Sequence, residues 1–165
     1  MKSFITLFIL TLLNINSIEQ KRFEEVQKIS IQEAELILGQ QASLKEQTSG
    51  IKNEVNFFKS TFVANEIDAQ TNKLGNLYYT YETYKNAEEA NKLIQSFIQS
   101  NQNHHGFEGL KDFGDEAFII TDQTNFITFI STKANKMIRL KVNKVTSKTS
   151  ILALKRIANK LMNTV

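Results

Sequence analysis

The chain has 165 residues, 41% of them hydrophobic, with no cysteine, no proline, six glycines and a formal net charge of +3. Without cysteine there are no disulfides, thiolate metal sites, cysteine nucleophile or lipoprotein anchor, and without proline there is no Pro-rich linker or stalk. The charge is uneven: no Asp or Glu follows Asp122, whereas Lys133, Lys136, Arg139, Lys141, Lys144, Lys148, Lys155, Arg156 and Lys160 do, so the last third is a cationic segment suited to an anionic partner.

Residues 1–17 read as a secretory signal peptide. Lys2 is a short positive region, Phe4 to Leu13 is an apolar run, and Asn14 to Ser17 is a polar exit. The run is shorter than the roughly 20 residues of a spanning helix, so the expected location is secreted or periplasmic and not transmembrane once the signal is removed. An uncleaved short anchor is the alternative, because Ile15 and Ser17 do not make a good cleavage site. Residues 18–165 are then expected to form one domain, with 19–28 as a polar lead-in.

Ser30-Ile31-Gln32-Glu33 fits a capping box, and Ile31, Ala34, Ile37 and Leu38 line one face of a short helix closed by Gly39. Residues 40–53 are polar, with turn signals at Ser49-Gly50. Val55 to Ala64 is rich in β-formers and reads as a strand with an irregularity near Phe57-Phe58. Leu77 to Tyr84 reads as a second strand, antiparallel to the first. Asn86 caps a second helix with Ala90, Leu93, Ile94, Phe97 and Ile98 on its apolar stripe. Residues 101–115 are expected to be a loop containing His104, His105 and Gly106.

Ala117–Thr121, Asn125–Thr132 and Met137–Val145 then form a meander with short connections. In its central strand Ile127 and Phe129 face one way and Phe126 and Ile130 the other, so both faces are covered. Ser147, Thr149 or Ser150 caps a final helix carrying Ile151, Leu154, Ile157, Ala158, Leu161 and Met162 on one stripe. The expected class is α+β: an antiparallel sheet of about five strands with helices on both faces.

This element order, with Gly114-Asp115-Glu116-Ala117-Phe118 leading into the meander, resembles the small exported domains of the PsbP/Mog1 fold, which include bacterial sensor and lipoprotein domains. The resemblance covers nearly all of residues 18–165 in layout. Many bacterial members carry a disulfide and an anchor cysteine that this chain lacks. The resemblance implies an α/β/α sandwich and a non-enzymatic binding, sensing or accessory role.

Several constellations bear on function. His104 and His105 are the only histidines, and they are weak metal candidates because neighbouring side chains in an extended loop point apart. With Asp112 or Asp115 they supply the alternative reading, a hydrolase-type enzyme, although no serine or threonine nearby sits in a nucleophile elbow. The three carboxylates Asp112, Asp115 and Glu116 lack the spacing of a calcium loop. No phosphate-binding glycine loop occurs, and no cofactor is implied.

Tyr79 and Tyr81 share one face of their strand and Tyr78 and Tyr84 the other, so at least one pair should enter the core. An exposed Tyr79 and Tyr81 would suit a sugar or flat ligand. Arg139 and Lys141 share a strand face, and Lys155, Arg156 and Lys160 lie on the polar side of the last helix. These either meet as a cationic patch or pair with N-terminal acids, Glu33 and Glu35 among them. The expected partner of a patch is an anionic envelope polymer, a lipid headgroup or an acidic protein, and not nucleic acid.

Overall fold

In the computed structural model, which describes residues 28–164, the chain runs α1 (Ile31–Leu38), β1 (Ala42–Lys52), β2 (Val55–Ala64), β3 (Asn76–Thr83), α2 (Ala87–Asn101), β4 (Phe107–Leu110), β5 (Glu116–Thr121), β6 (Phe126–Lys133), β7 (Lys136–Asn143) and α3 (Ile151–Asn163). The signal-peptide segment and nearly all of the lead-in lie outside the described residues. All seven strands belong to one antiparallel sheet of order β1-β2-β3-β7-β6-β5-β4. The α+β class with helices flanking an antiparallel sheet is therefore present, with seven strands in place of about five.

The two added strands are the sheet's edges. β1 occupies the segment read as polar and turn-like, and most of its side chains are exposed, so no apolar alternation marks it. Its hairpin turn to β2 falls at Asn53-Glu54, both with positive φ (50° and 64°), as a primed hairpin turn requires. The turn signal at Ser49-Gly50 lies inside the strand, and the irregularity falls between Leu44 and Glu46 of β1 instead of near Phe57-Phe58. β4 is a four-residue edge strand within the expected 101–115 loop.

Helix ends follow their caps. In α1 the Ser30 Oγ accepts from the Glu33 amide (3.2 Å) and the Glu33 carboxylate accepts from the Ser30 amide (2.9 Å). Gly39 closes the helix at φ 71°, and a side chain there would collide with the Lys148 carbonyl. Asn86 caps α2, and Ser150 is the residue that caps α3.

Strand parity sorts the side chains into two layers. Phe58, Phe62, Leu77, Tyr79, Tyr81, Ile127, Phe129, Ile138 and Leu140 face α1 and α3 in the larger core. Phe118, Ile120, Ile130 and Met137 face α2 in a smaller one. β5 and β6 are thus buried on both faces. α2 lies over β5, β6 and β7 and leaves the β1–β3 part of its face open, where Glu46, Thr48, Lys59, Thr61, Tyr78 and Thr80 line a shallow depression.

At one end of the larger core, Asp68 holds two segments together. It is 1% exposed, and it accepts from the Thr71 hydroxyl (2.6 Å) and amide (3.1 Å) and from the Ser147 hydroxyl (2.9 Å) and amide (3.2 Å). It thereby ties the β2–β3 connection to the segment before α3. The Thr71 hydroxyl, opposed by desolvation and reinforced by Ser147 and the Thr71 amide, brings its carboxyl down to about 2.

Because this depressed value favours the folded state only while the group is ionised, the contribution is fully present above the ordinary value near 3.8 and is lost as pH falls toward about 2. Asp68→Asn is expected to lower the melting temperature at neutral pH. It should also flatten the decline in stability between about pH 4 and pH 2 relative to wild type. Thermal denaturation across that range checks both, and parallel curves would show that the Asp68 charge is not responsible.

Candidate functional site

The register of β7 positions Arg139 and Lys141. Arg139 stands opposite Thr80 of β3 and Ile130 of β6, and Lys141 opposite Tyr78 and Thr128, so both project to the face that carries α2. The C-terminal half of α2 rises over that face and leaves an open groove of about 310 Å³. Phe97, Phe118, Ile120, Phe126 and Ile130 supply apolar walls, while Asn101, His104, Thr128, Arg139 and Lys141 supply polar ones. The volume is at the low end of ligand cavities, about 300–1,000 Å³.

The two cations differ in their surroundings. The Arg139 guanidinium lies over the Phe97 ring, 5.0 Å from its centroid, and one terminal nitrogen is 4.0 Å from the Glu82 carboxylate. Its Nε is buried and has no acceptor among the described residues. Lys141 is half-buried and has no acidic partner among them. His104 accepts the Gly106 amide at Nδ1 (3.1 Å), which leaves Nε2 as the ring nitrogen that carries the proton. The His104 ring stands 6.0 Å from that of Phe126.

The other basic residues singled out from the sequence do not join this group. α3 packs on the opposite face of the sheet, so Lys155 and Arg156 are separated from Arg139 and Lys141 by the sheet itself. Lys155 pairs with Glu108 of β4 (3.0 Å), a surface contact worth about 0–1 kcal/mol. Lys160 pairs with Glu33 (2.7 Å), one of the N-terminal acids expected to answer these charges. Burial acts to raise the Glu33 carboxyl, but hydrogen bonds from Lys160 and Ser30 outweigh it and hold the group below its ordinary value. Lys133 donates to the Met162 carbonyl at the end of α3 (3.1 Å). Arg156 is exposed. The cationic segment is thus divided between two faces and does not form one patch.

Tyr79 and Tyr81 are core residues, 1% and 4% exposed. Their strand face is covered by α1, and burial pushes the Tyr79 hydroxyl well above its usual range. They offer no ring surface to a sugar or flat ligand. The half-exposed tyrosine of this strand is Tyr78, beside Lys141.

His104 and His105 do not converge with Asp112 or Asp115. The Gly106 carbonyl accepts from the Thr121 amide at one end of β5, whereas the Asp115 amide donates to Thr132 beyond the other end. β5 is six residues long, which at about 3.3 Å per residue separates the two groups by roughly 20 Å. Among the described residues no group of three His, Cys, Asp or Glu side chains is placed to hold a metal ion.

The Gly114–Phe118 motif is accounted for by turn and packing geometry. Gly114 has φ 94° and passes so close to the Thr132 carbonyl that a side chain would overlap it. The Asp115 carboxylate accepts from the Ala134 amide in the β6–β7 turn (2.6 Å), and Glu116 accepts from Gln95 of α2 (2.6 Å). Phe118 stacks on Phe107 with centroids 5.3 Å apart. The Ser131 hydroxyl donates to the Phe113 carbonyl behind this turn.

Strand parity puts Arg139 and Lys141 on one face, but nothing local in the sequence marks the residues that make a groove around them. Phe97, Phe126 and Thr128 read as core or strand residues because the position of α2 over β5–β7 has no local signal. Comparison with family models, curated proteins and solved structures yields no match.

Gly114→Ala is expected to destabilise the domain by about 2 kcal/mol or more, since it combines a positive φ with a backbone collision. Asp115→Ala, which removes one turn hydrogen bond, is expected to cost about 1 kcal/mol. Chemical denaturation measures both, and equal small effects would overturn the turn-geometry account of the motif.

Proposed function

We propose that this is a non-enzymatic, exported binding or accessory domain that meets an anionic envelope component through the sheet face beside α2, with Arg139 and Lys141 as its contact residues. The observation that carries this reading is the emergence of both cations side by side at an apolar groove, with Lys141 lacking any acidic partner among the described residues. Buried or half-buried cations are costly unless paired, so a charge left in this position favours an anion arriving from outside. The open, polar β1–β3 surface adds Lys59, Thr61, Tyr78 and Thr80 as neighbouring hydrogen-bonding groups.

An exported setting follows from reading residues 1–17 as a signal peptide, and the resemblance to PsbP/Mog1-type domains supports an accessory role. Among the described residues no helix is long and apolar enough to cross a membrane. The hydrolase alternative loses its constellation, because the imidazoles and the proposed carboxylates lie at opposite ends of β5.

The reading is tested by salt-dependent capture of the full chain on phosphatidylglycerol-containing vesicles and on immobilised polyphosphate. Lys141→Glu is expected to weaken capture about tenfold or more, whereas Arg156→Glu, on the other side of the sheet, leaves it unchanged. Equal losses in the two variants, or none in either, would show that the face beside α2 is not the contact surface.

A further inference from the structure

We infer that the groove between α2 and strands β5–β7 receives a small amphiphilic monoanion, an apolar ring or short chain ending in one carboxylate. This rests on the reading of Arg139 and Lys141 as anion-binding residues and narrows it from a surface to a cavity ligand.

Charge fixes the number of anionic groups. Arg139, Lys141 and Glu82 share this part of the sheet face, and Glu82 lies 4.0 Å from Arg139. Two cations and one carboxylate leave one net positive charge, which matches a single carboxylate held within the groove. The uncompensated charge is Lys141, whose ammonium has three donors. His104 and Asn101, which also line the groove, are further polar groups beside the two cations.

Shape fixes the rest of the molecule. Beyond the cations the groove is walled by Phe97 of α2, Phe118 of β5 and Phe126 of β6, with Thr128 at its floor. A flat apolar body displaces water from these three aromatic walls, a gain added to the charge interaction with the cations. A space of about 310 Å³ holds one such body and not a length of polymer.

The probe is 2-naphthoate, which combines a flat apolar body with one carboxylate and is itself fluorescent. The chain has no tryptophan, so exciting the naphthyl group to the red of tyrosine absorption avoids protein emission. Fluorescence anisotropy of 2-naphthoate titrated with the full chain is expected to show sub-millimolar saturation. Affinity should fall about tenfold or more with Lys141→Glu and be lost with Thr128→Phe, which fills the groove floor. Neutral 2-naphthylmethanol should bind at least tenfold more weakly. Melting curves establish that each variant is folded, and the smaller Thr128→Leu replaces Thr128→Phe if that variant is not. If 2-naphthoate does not bind, or binds Thr128→Phe as well as wild type, the cavity-ligand inference fails. If in that case vesicle or polyphosphate capture persists and is still sensitive to Lys141→Glu, the broader anion-binding face survives. Loss of both overturns both.

Discussion

The antiparallel pairing of β3 with β7 is the contact on which the remaining structure depends. It joins Asn76 to Asn143 and Thr83 to Lys136, and so fuses the β1-β2-β3 meander to the β7-β6-β5-β4 meander in one sheet. Each meander is held by local hairpins, but neither buries both of its faces alone. Pairing in this register aligns Leu77, Tyr79 and Tyr81 with Val142, Leu140 and Ile138 on the face covered by α1 and α3. A slip of one residue would turn every one of these side chains to the other face. The same register turns Arg139 and Lys141 away from the larger core and toward α2, so one constraint sets both the packing and the candidate site.

The site arises from incomplete coverage of a sheet. A 15-residue helix cannot cover the α2 face of seven strands, and α2 lies over β5, β6 and β7 near one side. What remains is an open polar surface on β1–β3 and a groove between the C-terminal half of α2 and strands β5–β7. The groove is apolar because its walls are extensions of the smaller core, and cationic because β7 contributes Arg139 and Lys141 at its rim. The other basic residues are drawn into the opposite layer, where Lys160 reaches Glu33 and Lys155 reaches Glu108. A single run of positive charge in sequence is in this way separated into surface ion pairs on one side and a binding candidate on the other.

The features most legible beforehand were those encoded within a few residues. The Ser30–Glu33 capping box, the Gly39 helix end, the Asn86 cap and the short β5–β6 and β6–β7 connections each depend on local backbone chemistry, and the alternation in β6 revealed a strand covered on both faces. β1 was not legible because an edge strand exposed on both faces has no apolar period to detect, and β4 because four residues at the outer edge are too few to show one. Gly114–Phe118 stood out as a motif, but its physical role depends on where the Thr132 carbonyl and the Ala134 amide arrive, and those belong to a later hairpin.

By itself the sequence determined the α+β class, the main helices and strands, the parity that puts Arg139 beside Lys141, and the absence of any chemistry requiring a thiol. Only the tertiary structure decided that Tyr79 and Tyr81 are core residues, that His104 is kept from Asp115 by the length of β5, and that Lys155 and Arg156 lie across the sheet from Arg139. The physical reason is that periodicity and caps fix which residues share a face of one element. Which face meets another element depends on pairings between residues far apart in the chain, above all β3 with β7, and those are selected by the burial of the whole core.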